Sequence, residues 1–159
     1  MTVKYEHLIG KQFIWGSQDC YTIIQDFYKD NFNIDLTNYA RPEDFWRGGL
    51  NLYYDNYHKE GFSLVHDPID KMRVGDVMLI ALDADLPNHA AIYVGRGQIL
   101  HHFYNQLSIM EGIRKLYRDR CMAILRHKDV LPEMIAEEQI NLMDILPPQT
   151  QEKLKNVLS

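Results

Sequence analysis

Asn88-His89-Ala90-Ala91-Ile92-Tyr93-Val94-Gly95-Arg96-Gly97-Gln98-Ile99-Leu100-His101-His102 reads as a β-hairpin. Apolar runs from His89 to Val94 and from Gln98 to Tyr104 flank Gly95-Arg96-Gly97, whose glycines suit a tight turn. Such a turn predicts pairing of residues near 92 and 99, which sets 89 beside about 102. The His89 ring then meets His101 or His102 at the ~5 Å typical of cross-strand neighbours. Alternation puts Ile99, His101 and Phe103 on one face and Leu100, His102 and Tyr104 on the other. Pairing alone leaves both histidines open as the partner.

Some seventy residues upstream stands Phe13-Ile14-Trp15-Gly16-Ser17-Gln18-Asp19-Cys20. Asp19 through Tyr28 predicts a helix, with Ile23, Ile24, Phe27 and Tyr28 along one face and Asn31-Phe32-Asn33 at its end. Asp19 or Ser17 can cap the first turn, which places Cys20 among backbone N–H groups that favour an anion. A cysteine at a loop-to-helix junction, with histidines on two later strands, is the way a thiol nucleophile and its base are assembled. Cys121, between Arg120 and Met122-Ala123-Ile124-Leu125, reads instead as core.

Around these motifs the pattern is helices first, strands second. A short helix begins near Tyr5 to Leu8. A second carries Pro42 in its first turn and breaks at Gly48-Gly49; a third spans Leu50 to Lys59 and stops at Gly61. After the Gly75-Asp76 turn come strands at Val77 to Ile80, the hairpin, Leu107 to Glu111 and Cys121 to Arg126. That order predicts an α+β fold, N-terminal helices packed on a central antiparallel sheet. The aromatics Phe45, Trp46, Tyr53, Tyr54, Tyr57 and Phe62 read as core packing in preference to a substrate-lining wall. Beyond His127 two helical candidates, Glu133 to Leu142 and Gln149 to Leu158, form an extension with apolar positions and no chemistry. The chain thus divides into a domain at 1–127 and a helical extension at 128–159 that either packs on its own domain or docks on a partner.

Composition narrows the partners. With 46% hydrophobic and 25% charged residues, the 159-residue chain has enough apolar mass for a core. The net charge of -5 gives no attraction to nucleic acid, and the basic run Arg114 to Arg120 reads as a solvated strand or turn edge. No apolar stretch approaches the ~20 residues that cross a bilayer, so no membrane insertion is expected. Met1 to His7 lacks the shape of a signal peptide. Two cysteines a hundred residues apart make no disulfide framework or zinc pair, although Cys20, His89 and His101 are a ligand set zinc would accept.

The Gly-x-x-Asp-Cys turn opening a helix, Gly75-Asp76-Val77, and the strand His-Ala-Ala-Ile-Tyr-Val-Gly together resemble NlpC-type cell-wall cysteine peptidases, which are papain-like. More narrowly, Phe-x-Trp-Gly-x-x-Asp-Cys-Tyr, Gly49-Leu50-Asn51-Leu52-Tyr53 and the segment Ile99 to Ser108 resemble the tail-assembly protein K branch of long-tailed phages, over roughly residues 5 to 127. The resemblance implies a triad of Cys20 as nucleophile, His89 as base and, twelve positions on, His101 as the orienting residue. Trp15, Asp19, Tyr21 and His102 are the candidate substrate-binding residues. It also implies a peptidoglycan stem peptide as substrate, other tail-tip proteins as partners, assembly in the host cytoplasm, action at the host wall, and no cofactor. Two positions depart from the family: Phe13 stands where a tyrosine helps the oxyanion site, and Tyr21-Thr22 replaces the usual Ser-Gly.

Overall fold

The computed structural model describes residues 2–135 and 147–158. Helix α1 (Cys20–Phe32) is preceded by a 3-10 turn at Glu6–Leu8 and followed by a second at Phe45–Gly48 and by the short α2 (Leu52–Asn56). Six strands follow: β1 (Phe62–Val65), β2 (Val77–Ile80), β3 (His89–Gly95), β4 (Gln98–His101), β5 (Ile109–Gly112) and β6 (Cys121–His127), with α3 (Lys115–Arg120) inserted before β6. They form one antiparallel sheet in the order β1-β6-β2-β3-β4-β5. The expected α+β architecture is the one observed.

β2 and β3 lie at the middle and are covered on both sides, which is why they read as nearly continuous apolar runs. On one face Val77, Leu79, Ala90, Ile92 and Leu100 meet Ile23, Ile24, Phe27 and Tyr28 of α1. Each buried Val, Leu, Ile or Phe among them contributes roughly 1.5–3 kcal/mol over its exposed state, so this face anchors the helix that carries Cys20. On the other face Met78, Ile80, Ala91 and Ile99 pack with Met72, Ile124 and Tyr117 of α3. Asn33 closes α1 in the left-handed region at φ 53°, and the Tyr28 hydroxyl donates to the Gly75 carbonyl at 2.5 Å, tying helix to turn. Asp76 then receives a two-pronged bond from Arg126 at 2.9 and 2.7 Å, fixing the start of β2 against β6.

Several local expectations change. β1, unforeseen, is an edge strand of only four residues with a mostly solvated pattern. The helix expected over Leu50 to Lys59 shortens to α2, and the turn expected to begin at Pro42 begins at Phe45. The basic run that read as a strand or turn edge is α3, held by burial of Tyr117. β4 ends at His101 rather than Tyr104. Cys121 is half-buried and sits at the margin of the second core rather than inside one. In the extension, short helices occupy Pro132–Ile135 and Pro148–Leu158, and most of the predicted helix Glu133 to Leu142 lies outside the described residues. No described helix is long and apolar enough to cross a membrane.

Candidate active site

The loop before α1 is held by a buried ion pair. Asp19 caps the helix: its Oδ1 accepts from the N–H of Tyr21 at 3.2 Å and of Thr22 at 3.0 Å. Its Oδ2 accepts from the Gly16 N–H at 2.9 Å and from Arg41 Nε at 2.7 Å. Arg41 also reaches Asp19 Oδ1, Thr22 Oγ1 and the carbonyls of Gly16 and Tyr39. Burial alone would raise the Asp19 carboxyl, but Arg41 and the backbone donors outweigh it and hold it low. Asp19, not Ser17, is therefore the cap.

Cys20, 5% exposed, stands at the first residue of that helix. Its Sγ lies 3.4 Å from the Tyr53 hydroxyl of α2. Burial and the Asp19 charge push the thiol up to about 11, against the opposing pull of Tyr53, the Ala90 backbone and Arg41. A helix N-terminus was expected to favour thiolate; here dehydration of the sulfur wins, and the thiol is neutral at pH 7.

The hairpin positions the histidines, one register step from expectation. Ala91 pairs with His101, Ile92 with Leu100 and Tyr93 with Ile99, with the register shifting between Tyr93 and Gly95. Gly95 opposite Gln98 would by itself set Ile92 opposite His101; the extra β3 residue between Tyr93 and Gly95 brings Ile92 opposite Leu100, where 99 was expected. His89 consequently stands diagonal to His101 on the same face, and its ring stacks on Phe103 at 4.4 Å and 4°. His89 Nε2 and His101 Nδ1 are 2.9 Å apart, which decides between the two histidines that pairing had left open. His101 Nε2 lies 2.9 Å from Glu111 Oε1, and Glu111 also accepts from the Tyr117 hydroxyl at 2.7 Å and from Arg114 at 3.0 and 2.6 Å. Burial, with smaller contributions from His101 and His102, holds His89 well below the usual histidine range. Burial also lowers His101, although Glu111 opposes it.

Cys20 and His89 share one cleft of about 360 Å³, with Phe13, Trp15, Trp46, His102 and Tyr104 among its walls and Glu43, Asp44 and Arg47 at the side. The size suits a peptide-sized ligand. Tyr104 OH donates to Glu43 Oε1 at 3.2 Å, joining two parts of the wall that lie sixty-one residues apart. Of the candidate substrate-binding residues, Trp15 and His102 line this cleft. Trp15 packs among Phe13, Phe45, Trp46 and Tyr104, and its buried Nε1 has no hydrogen-bond partner among the described residues. His102 donates from Nε2 to the Gln106 carbonyl at 2.9 Å, outside the His89–His101 pair. Asp19 and Tyr21 are elsewhere: the first is enclosed by Arg41, and the second turns its hydroxyl to the Thr37 carbonyl at 2.6 Å in a separate apolar cavity.

Four residues of the site went unforeseen. By sequence Tyr53 reads as one of the core aromatics, and nothing in the sequence pairs Arg41 with Asp19. Glu111 had a signal, because alternation from Ile109 puts it on the His101 face; Arg114, three residues on, is its natural partner. Among the described residues no group of three or more His, Cys, Asp or Glu is arranged to hold a metal ion.

Residues 10–126 match the profile of the NlpC/P60 family. Among curated proteins, the Tail tip assembly protein K of Escherichia phage lambda is 39% identical over 77% of this chain and 60% of its own length. That of Escherichia phage N15 is 29% identical over 77% and 50%. The chain thus spans half to three-fifths of these relatives. Among solved structures, NlpC2 from Trichomonas vaginalis superposes with a TM-score of 0.52 at 18% identity, covering 77% of this chain and 44% of that one.

Proposed function

Because the chain belongs to the NlpC/P60 family, we propose that it is a cysteine peptidase that cuts peptidoglycan stem peptides, acting from a phage tail tip. The observation that carries this reading is the 2.9 Å His89–His101 bond beside a cleft that also holds Cys20. His89 takes the thiol proton as Cys20 Sγ attacks the scissile carbonyl, giving a tetrahedral adduct. Collapse expels the amine, which His89 protonates, and leaves a thioester. Water, deprotonated by His89, then releases the acid and regenerates the thiol. The Cys20 backbone N–H at the first turn of α1 supplies one oxyanion donor, and Phe13 supplies none. A neutral resting thiol makes His89 a general base in the attacking step rather than one half of a standing ion pair. The tail-tip setting and partnership with other tail proteins rest on the names of the phage relatives; the family match supports a wall peptide as substrate.

The direct experiment is release of new amino termini from purified peptidoglycan by the wild type and by Cys20→Ala. Hydrolysis by the first and none by the second is the expected result; equal, background release by both sinks the peptidase reading.

A second reading, a tail-tip assembly component that uses the fold without catalysis, draws on one observation: the sulfur is buried against Tyr53 and pushed up to about 11. Under it, Cys20→Ala is silent for wall hydrolysis, and disrupting the surface, not the thiol, costs tail assembly.

A further inference from the structure

We propose that Glu111 is a positioning residue that sets the tautomer of both histidines, leaving Nδ1 of His89 free to accept the Cys20 proton. The proposal rests on the peptidase reading for its purpose, but its geometry stands independently.

The starting point is the charge on Glu111. Burial would raise its carboxyl, yet the bonds from Tyr117, Arg114 and His101 outweigh burial and hold it low. An ionised carboxylate only accepts. His101 Nε2, 2.9 Å from Oε1, must therefore carry the ring proton. A neutral imidazole has a single N–H, so His101 Nδ1 is a lone pair. Two lone pairs do not sit 2.9 Å apart, so His89 Nε2 carries the proton that bridges to it. The remaining nitrogen of His89, Nδ1, is then unprotonated. One carboxylate thus fixes the state of a ring two hydrogen bonds away.

The fold supplies the pieces from separate elements. The β4–β5 register sets Ile99 opposite Glu111 and His101 opposite Ile109, so the acid and the histidine are diagonal neighbours on one face. Arg114, just before α3, clasps the far oxygen through two nitrogens, and Tyr117 is the buried residue of α3. When His89 takes the thiol proton, its second N–H still points to His101, and the new positive charge faces the negative charge of Glu111 along that line. Glu111 touches no substrate.

Glu111→Gln makes a sharp test. Arg114 has donors only, so the amide oxygen must turn to Arg114 and the amide NH₂ to His101. His101 Nε2 must then accept, which moves its proton to Nδ1; His89 Nε2 must accept in turn, which moves its proton to Nδ1. Both tautomers invert, and the base presents an N–H where it needs a lone pair. In a serine triad the equivalent acid-to-amide exchange lowers turnover by about 10⁴ with the geometry intact. Long-range ¹⁵N–¹H NMR on ¹⁵N-labelled protein at pH 7.5 reads the tautomers directly. We expect both rings protonated on Nε2 in the wild type and in Arg114→Ala, both on Nδ1 in Glu111→Gln, and a loss of turnover of about 10²- to 10⁴-fold in Glu111→Gln with KM little changed. A wild-type His89 protonated on Nδ1 overturns the proposal even if Glu111→Gln does not fold, and so does a folded Glu111→Gln with His89 unchanged. Inverted tautomers in a protein whose wild type cuts no peptidoglycan uphold the positioning role and refute the peptidase reading.

Discussion

The hydroxyl of Tyr53 and the sulfur of Cys20 lie 3.4 Å apart, although thirty-three residues separate them in the chain. The contact binds the nucleophile to α2, and the sulfur it holds is almost dry. Tyr53 →Phe removes the partner and one stabiliser of the thiolate form. The expected outcome is slower alkylation of Cys20 at a fixed alkaline pH and a stability loss of roughly 1 kcal/mol. Mass-spectrometric alkylation kinetics check the first and urea unfolding the second; an unchanged rate means the contact does not tune the thiol.

The wild-type thiol itself has a distinctive pH profile. Its reaction with iodoacetamide should rise through a midpoint of about 11, well above the ~8.5 of a free thiol. A midpoint below 7 in the isolated protein would establish a standing thiolate–imidazolium pair and reverse the neutral assignment.

Arg41→Ala leaves the buried Asp19 carboxylate with its backbone donors but without its cation, next to the nucleophile. Both side chains are almost fully enclosed, 2% and 0% exposed, so the expected cost is about 3–5 kcal/mol in urea unfolding. Arg41→Met with Asp19→Asn should lose markedly less than Arg41→Ala alone. Equal losses in both variants would show that packing, rather than the unpaired charge, is what matters.

Acid should weaken the fold before its carboxylates titrate. His89 and His101 are held below their unfolded value near 6.5 by burial. The unfolded chain therefore binds more protons than the native one as pH drops below 6.5. Their contribution is complete above 6.5 and is lost as pH falls from there toward the lowered native values. Urea midpoints at pH 7.5 and 5.5 should differ, with the lower value at 5.5; the reverse order would mean that the buried pair prefers to be charged.

What the sequence disclosed follows the range of the forces involved. The Asp19 cap, the helix face of Ile23, Ile24, Phe27 and Tyr28, and the alternation of β3 are local patterns, so they were legible. The His89–His101 pairing was half legible: the hairpin brought two candidates near and could not choose. The choice depended on a one-residue backbone irregularity that side-chain pattern does not encode. Glu111, Arg114 and Tyr117 meet His101 only once β5 and α3 are docked, and Arg41 reaches Asp19 from a loop with no periodicity. The thiol's neutrality was the least legible feature, because helix-end electrostatics can be read from spacing while dehydration depends on what covers the sulfur.

The irregular step between Tyr93 and Gly95 behaves as a reading frame for chemistry. Side chains in a strand alternate with period two, so a single residue added to or removed from Gly95-Arg96-Gly97 exchanges every partner across β3 and β4. His102 would then take the face now held by His101, and it would arrive there without the carboxylate, arginine and tyrosine assembled on that side. Which of two adjacent, chemically identical residues matters is decided by the length of a solvent-exposed turn, so the turn is under as tight a constraint as the groups it never touches.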